Sequence, residues 1–221
     1  MASRESVVVI GLGRFGLSVA RALSEHGHEV LGLDTDMRSV ERAADLVTQA
    51  VQADGTDESV LVELGVRNFD VGVVAISSDI KSSILATLLL KRMGIPHVIA
   101  KAQEELHGEI LAKVGANQVV YPNRDTGVRV AHSLTAPNLV DYMEITHGYG
   151  VAKMTVTGSM VGKKLGDLEL KESHGLTPLI LSHSGRTANL VINPSKYEVL
   201  AEGDSLLVSG KDDDLDSWRA N

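Results

Sequence analysis

The run Val7-Val8-Val9-Ile10-Gly11-Leu12-Gly13-Arg14-Phe15-Gly16 decides the fold of this 221-residue chain. Four consecutive β-branched residues suit a strand. Gly11 ends the run and a helical pattern starts at Arg14, so the glycines occupy a strand-to-helix turn. In that context their roles divide. Gly11 permits the tight turn, Gly13 lets backbone N–H groups approach a phosphate without a Cβ in the way, and Gly16 allows close helix-to-strand packing. A second strand, near 28–33, then delivers Asp34 eighteen positions beyond Gly16, close to the usual separation of about 20. A carboxylate there accepts hydrogen bonds from both ribose hydroxyls and repels a 2′-phosphate, which disfavours NADP. A glycine turn that binds nothing is the plain alternative, and the sequence of strand, glycines, helix, second strand and terminal acid argues against it. Mononucleotide and dinucleotide stay open, since both carry the phosphate and ribose that the fingerprint reads.

Outward from this turn, short β-branched runs alternate with helical patterns, the signature of βαβ units and a parallel sheet. The spacing predicts strands near 6–10, 28–33, 48–53, 70–76, 97–101 and 118–121, with helices near 14–26, 37–44, 57–64, 79–93, 103–114 and 124–134. Gly27, Gly65, Gly94 and Gly115 stand where helices end in a left-handed residue. The fold class is therefore α/β, a Rossmann-type doubly wound sheet, followed by a small α+β C-terminal lobe. We expect a nucleotide-binding domain over 1–134, a linker or crossover over 135–150, and a C-terminal lobe over 151–221. That lobe reads as strands near 151–157, 177–183, 187–192 and 204–210, with Ser184-Gly185 as a hairpin turn.

Bulk composition narrows the function. A formal charge of -8 supplies no general attraction to phosphate backbones, so nucleic acid is disfavoured as the main partner. Zero cysteines exclude disulfides, thiolate metal sites and cysteine nucleophiles. The apolar stretch Ile84–Leu90, bounded by Lys81 and Lys91-Arg92, reads as a buried amphipathic helix and not as a membrane span. No metal site is expected, because the eight histidines show no HExxH spacing. The chain also lacks a GxSxG elbow and a GxxxxGK[ST] loop, so no catalytic residue is assigned and the chain is not read as an enzyme.

Several residues beyond the glycines fall at the same sheet edge. Arg14 places a permanent cation in the phosphate loop, where it can meet a terminal phosphate and favour ATP or ADP; pairing with a surface acid is its alternative role. Ala53-Asp54-Gly55-Thr56 ends the third strand where such folds place adenine-contacting turns, although Asp54 also suits a helix cap. Ile76-Ser77 ends the fourth strand over the same crevice. Lys101 ends the fifth and is a second candidate phosphate cation, or an exposed strand-end lysine.

Taken together, Val8 to Gly16, Asp34-Thr35-Asp36, Ala53 to Thr56, Val74-Ala75-Ile76, Lys101-Ala102, Gly115-Ala116 and Tyr121-Pro122 resemble the RCK (KTN) regulators of potassium transport. The likeness covers nearly the whole chain, and one N-lobe with one C-lobe is closer to the Ktr type than to the duplicated TrkA type. The resemblance implies a nucleotide crevice lined by Gly11, Gly13, Arg14, Phe15, Gly16, Asp34, Asp36, Asp54, Gly55, Thr56, Ile76, Ser77 and Lys101. It implies ATP/ADP as ligand, with NAD or NADH in several relatives, and a cytoplasmic homo-octameric ring of dimers that gates a membrane potassium-translocating subunit. An NAD(H)-dependent oxidoreductase, or a redox-sensing regulator of another transporter, is the alternative. Two positions depart from the family. Asn123 replaces a glutamate that helps to bind a cation near the ATP phosphates, and an amide is the weaker ligand for a hard cation. Lys171 stands at about the position of an arginine that contacts cyclic di-AMP in some C-terminal lobes, and lysine lacks the bidentate fork.

Overall fold

The computed structural model describes residues 4–77, 79–135, 139–184 and 189–218. The chain divides into two compact units, one through Asn123 and one from Arg124.

In the first unit, β1 (Ser6–Ile10), β2 (Glu29–Asp34), β3 (Gln49–Gln52), β4 (Val71–Val74), β5 (His97–Lys101) and β6 (Gln118–Val120) form one sheet in the order β3-β2-β1-β4-β5-β6. Every neighbouring pair is parallel. Between the strands run α1 (Arg14–Glu25), α2 (Met37–Ala43), α3 (Glu58–Glu63), α4 (Ile80–Arg92) and α5 (Glu105–Val114). Burial on both faces explains the unbroken apolar run of β1. Val8 and Ile10 enter one core with Leu61 of α3, Leu89 and Leu90 of α4 and Leu111 of α5. Val7 and Val9 enter the other with Ala20 of α1 and Val40 and Ala43 of α2. The strand order reverses between β1 and β4, and such a switch point opens a crevice beyond the carboxyl ends of the strands.

α4 is amphipathic as its sequence predicts: Ala86, Leu89 and Leu90 are buried while Leu85 and Leu88 are exposed. Among the described residues, no helix is long and apolar enough to cross a membrane.

The second unit begins within α6 (Pro122–Thr135) and holds an antiparallel sheet ordered β10-β9-β11-β8-β7. Its strands are β7 (Leu139–Thr146), β8 (Tyr149–Thr155), β9 (Thr177–His183), β10 (Asn189–Ile192) and β11 (Ser205–Lys211), with short helices α7 (Leu170–His174) and α8 (Asp212–Ser217). Asp212, Asp213 and Asp214 open α8, where carboxylates favour the positive helix end. Residues 135–150, read from sequence as a crossover, contain β7 and the start of β8. β7 is an edge strand in which Val140, Met143 and Ile145 are exposed, and among its residues from Val140 onward only Tyr142 is buried. Tyr142 fixes the strand: its ring lies where a side chain on Gly150 would stand, and its hydroxyl donates to Asp212 Oδ1 at 2.7 Å. Burial, and then the Asp212 carboxylate, push the phenol pKa well above its usual value. Gly185 of the expected hairpin turn and residues 187–188 of the expected strand lie outside the described residues.

Candidate functional site

The crevice at the switch point has a volume of about 350 Å³, within the range of small-molecule sites. The β1–α1 turn contributes Gly11 and Gly13, the end of β2 contributes Asp34 and Thr35, and the segment after β3 contributes Asp54, Gly55 and Thr56. Ile76 and Ser77 follow β4, and Ser82 projects from the first turn of α4.

The three motif glycines serve different ends. Gly11 has φ +96°, and its N–H donates to Leu33 O at 2.7 Å. A side chain at Gly16 would place Cβ 1.8 Å from the Gly11 carbonyl oxygen, so helix and turn touch only because it is absent. Gly13 is the N-cap of α1, with ordinary φ, and a Cβ there would meet nothing within 4 Å. Internal packing therefore accounts for Gly11 and Gly16 but not for Gly13, whose bare backbone faces the crevice.

Asp34 braces the turn. Its Oδ2 accepts from Leu12 N–H at 2.6 Å and its Oδ1 from Asp36 N–H at 2.9 Å. A carboxylate has about four lone-pair positions, so roughly half its capacity remains for a ligand. Asp54 Oδ1 accepts from both the N–H and the hydroxyl of Thr56, at 2.8 and 2.6 Å. This bond folds the turn below β3, and the cap of α3 comes instead from Asp57, which accepts from Ser59 and Val60 N–H.

Arg14, Phe15, Gly16, Asp36 and Lys101, grouped with the crevice from sequence, stand outside its lining. Asp36 caps α2 by accepting from Arg38 N–H at 3.2 Å. Lys101 Nζ donates to Ser77 Oγ at 2.7 Å and lies 5.5 Å from the centre of the Phe15 ring. Partial burial, and then the charge of Arg14, lower the Lys101 pKa. The charge of Arg14 thus acts on Lys101, which is held to Ser77, and among the described residues no carboxylate lies within ion-pair distance of either cation. Sequence reasoning missed Thr35, Ser82 and Gln103, whose side-chain amide donates to the Ser77 carbonyl. Each sits one or two residues past a strand end or in a first helical turn, and that placement was the available signal.

Asn123 lies in the first turn of α6, and Lys171 is exposed on α7.

Known proteins share both parts of this arrangement. The TrkA-N domain model matches residues 7–122 and the TrkA-C domain model matches residues 151–221. The chain belongs to the TrkA-type RCK family. It is 38% identical over 212 residues to Ktr system potassium uptake protein C of Bacillus subtilis, covering 96% of this chain and 95% of that protein. Ktr system potassium uptake protein A of Vibrio alginolyticus is 34% identical over 207 residues, covering 94% and 93%. Among solved structures, the GsuK RCK domain superposes with a TM-score of 0.67 at 22% identity, over 97% of this chain. The GsuK channel bound to NAD gives 0.64 at 20%. This chain spans 46% and 38% of those two chains, and at such identity the likeness speaks to the RCK fold.

Proposed function

We propose that this protein is the nucleotide-binding, non-catalytic regulatory subunit of a potassium-uptake system, switched by exchange of ATP and ADP. The carrying observation is the crevice in which the unencumbered Gly13 backbone and the half-occupied Asp34 carboxylate face one space, on a chain alignable end to end with Ktr proteins. In this reading Asp34 receives the ribose, the Gly11–Gly13 backbone the phosphates, and the turn at Asp54, Gly55 and Thr56 the base, between Ile76 and Ser77. Phe15 and Gly16 support that turn, and Asp36 supports it through Asp34. The cations Arg14 and Lys101, which have no carboxylate partner among the described residues, receive the terminal phosphate.

A ligand shifts a two-state assembly only by its differential affinity for the states. A γ-phosphate that reaches Arg14, where ADP falls short, supplies such a difference. The protein then acts from the cytoplasm, as a ring of dimers under a membrane potassium-translocating subunit, with the 151–221 lobe serving dimerisation. Asn123 in place of a carboxylate makes this switch less dependent on a bound cation. With Lys171 in place of arginine, the C-terminal lobe is a poor fit for cyclic di-AMP.

Calorimetric titration of nucleotide-stripped protein with ATP, ADP, NAD and NADH tests the reading. ATP and ADP are expected to bind, and Arg14→Ala to weaken ATP about tenfold more than ADP, the worth of one charge-assisted hydrogen bond. Binding of NAD or NADH alone, unaffected by Arg14→Ala, sinks the ATP switch. The placement of Asp34 suits a dinucleotide ribose equally well, so that outcome favours redox sensing; a change in cofactor absorbance with a substrate instead makes the protein an oxidoreductase.

A further inference from the structure

Gln103 joins the crevice to a buried histidine. Its side-chain amide holds the Ser77 carbonyl, and its backbone N–H donates to His107 Nδ1 at 3.3 Å. Lys101, two residues earlier, holds the hydroxyl of the same Ser77. Segment 101–103 is thus fastened twice to the crevice wall at one end and to His107 at the other. His107 is the third residue of α5 and only 2% exposed. Because Nδ1 accepts, the proton of the neutral ring is on Nε2. Nε2 is itself buried with no hydrogen-bond partner among the described residues.

We propose that His107 is a pH-sensitive positioning residue: the neutral ring holds Gln103 against Ser77 and keeps the crevice competent, and protonation at Nδ1 releases Gln103 and lowers nucleotide affinity. The proposal rests on the nucleotide reading above. A second proton turns Nδ1 from an acceptor into a donor aimed at the Gln103 N–H, so the bond is lost and a cation with two unmatched donors is left in a dry site. Burial lowers the His107 pKa, and the Glu104 carboxylate at the N-cap of α5 opposes that shift. Tyr121, just past β6, brings its hydroxyl against Gly108 on the same helical turn. Among the described residues, α4, β5 and β6 add no further charge that acts on the ring. The release therefore falls on the acid side of the ordinary histidine range. A mere cap on the first turn of α5 accounts for the His107–Gln103 bond, but it gives no reason for the same residue to reach on to Ser77.

The test is calorimetric titration with ADP and with NAD from about pH 8 to about pH 5, on wild type, His107→Gln and Gln103→Ala, with the His107 ring followed by nitrogen NMR in wild type. Wild-type affinity is expected to fall about two- to tenfold, the worth of one hydrogen bond, with the midpoint of the ring titration. His107→Gln offers an amide oxygen that does not titrate, so its curve keeps only the slope of the ADP phosphate itself, whose second pKa is about 6. Gln103→Ala alters an exposed side chain and is expected to bind weakly at every pH. Parallel curves for wild type and His107→Gln, or Gln103→Ala following the wild-type curve, overturn the proposal. Failure of wild type to bind either nucleotide at any pH overturns the nucleotide reading as well, and is distinguishable from parallel curves.

Discussion

Gly13 and Gly16 stand three residues apart in one motif, yet they answer to different pressures. At Gly16 an added methyl collides with the Gly11 carbonyl oxygen at 1.8 Å, and no rotamer relieves a clash of Cβ with backbone. Gly16→Ala is expected to destabilise the first unit by about 3 kcal/mol or more, as overpacking in a closed site does. At Gly13 the added methyl meets open space, so Gly13→Ala costs about 1 kcal/mol or less, through its weaker N-cap propensity. Its effect is expected in binding instead, as loss of nucleotide affinity without loss of fold. Urea midpoints followed by circular dichroism, paired with calorimetric titration, separate the two. Wild-type affinity in Gly13→Ala would show that this glycine does not serve ligand approach.

At the scale of elements, the ends of β9 and β11 are tied by one buried carboxylate. Asp204, 1% exposed, accepts from Ala201 N–H, Ser184 N–H and the His183 ring, each at 2.9 Å. Burial raises its pKa, and these bonds outweigh burial, leaving the carboxyl below its usual range. The folded value lies under the unfolded one of about 3.9, so this stabilisation is complete above that pH and is lost as pH falls through the folded value. Asp204→Asn is expected to cost the second unit about 2–3 kcal/mol near neutrality, since charged acceptors contribute more than neutral ones, and to flatten the acid limb below about pH 4. Urea unfolding monitored by Trp218 fluorescence checks both; an unchanged acid limb assigns the sensitivity to another group. No pattern in the sequence marks Asp204, because two of its three partners are backbone groups and the third, the His183 ring, is brought to it by the sheet. The central strands of the parallel sheet were legible because β1 and its neighbours β2 and β4 are buried on both faces, and the glycines at 27, 65, 94 and 115 do take left-handed backbone. β7 was not legible, because an edge strand whose apolar Val140, Met143 and Ile145 are exposed leaves no period to read. The candidate site was legible where backbone geometry demands a residue type, as at Gly11, and illegible where a side chain reaches across, as Gln103 does to Ser77.

Across the whole molecule, the first unit keeps its cores on the two faces of the parallel sheet, drawn from residues between Val7 and Leu111, while the second is built from Tyr142 to Trp218. The chain holds a single tryptophan, Trp218, 5% exposed in the second core. Fluorescence therefore reports the second unit, whereas the helices that dominate the far-ultraviolet signal belong largely to the first. A ligand confined to the crevice stabilises only what unfolds with the crevice, by RT ln(1 + [L]/Kd), about 2.7 kcal/mol at a hundredfold excess over Kd. Saturating ADP is expected to raise the dichroism midpoint by that energy and to leave the Trp218 midpoint in place. Should the Trp218 midpoint rise equally, the two units unfold as one cooperative body, and nucleotide binding energy reaches the C-terminal lobe directly. In that case Gly16→Ala lowers both midpoints together, whereas with independent units it lowers the dichroism midpoint alone.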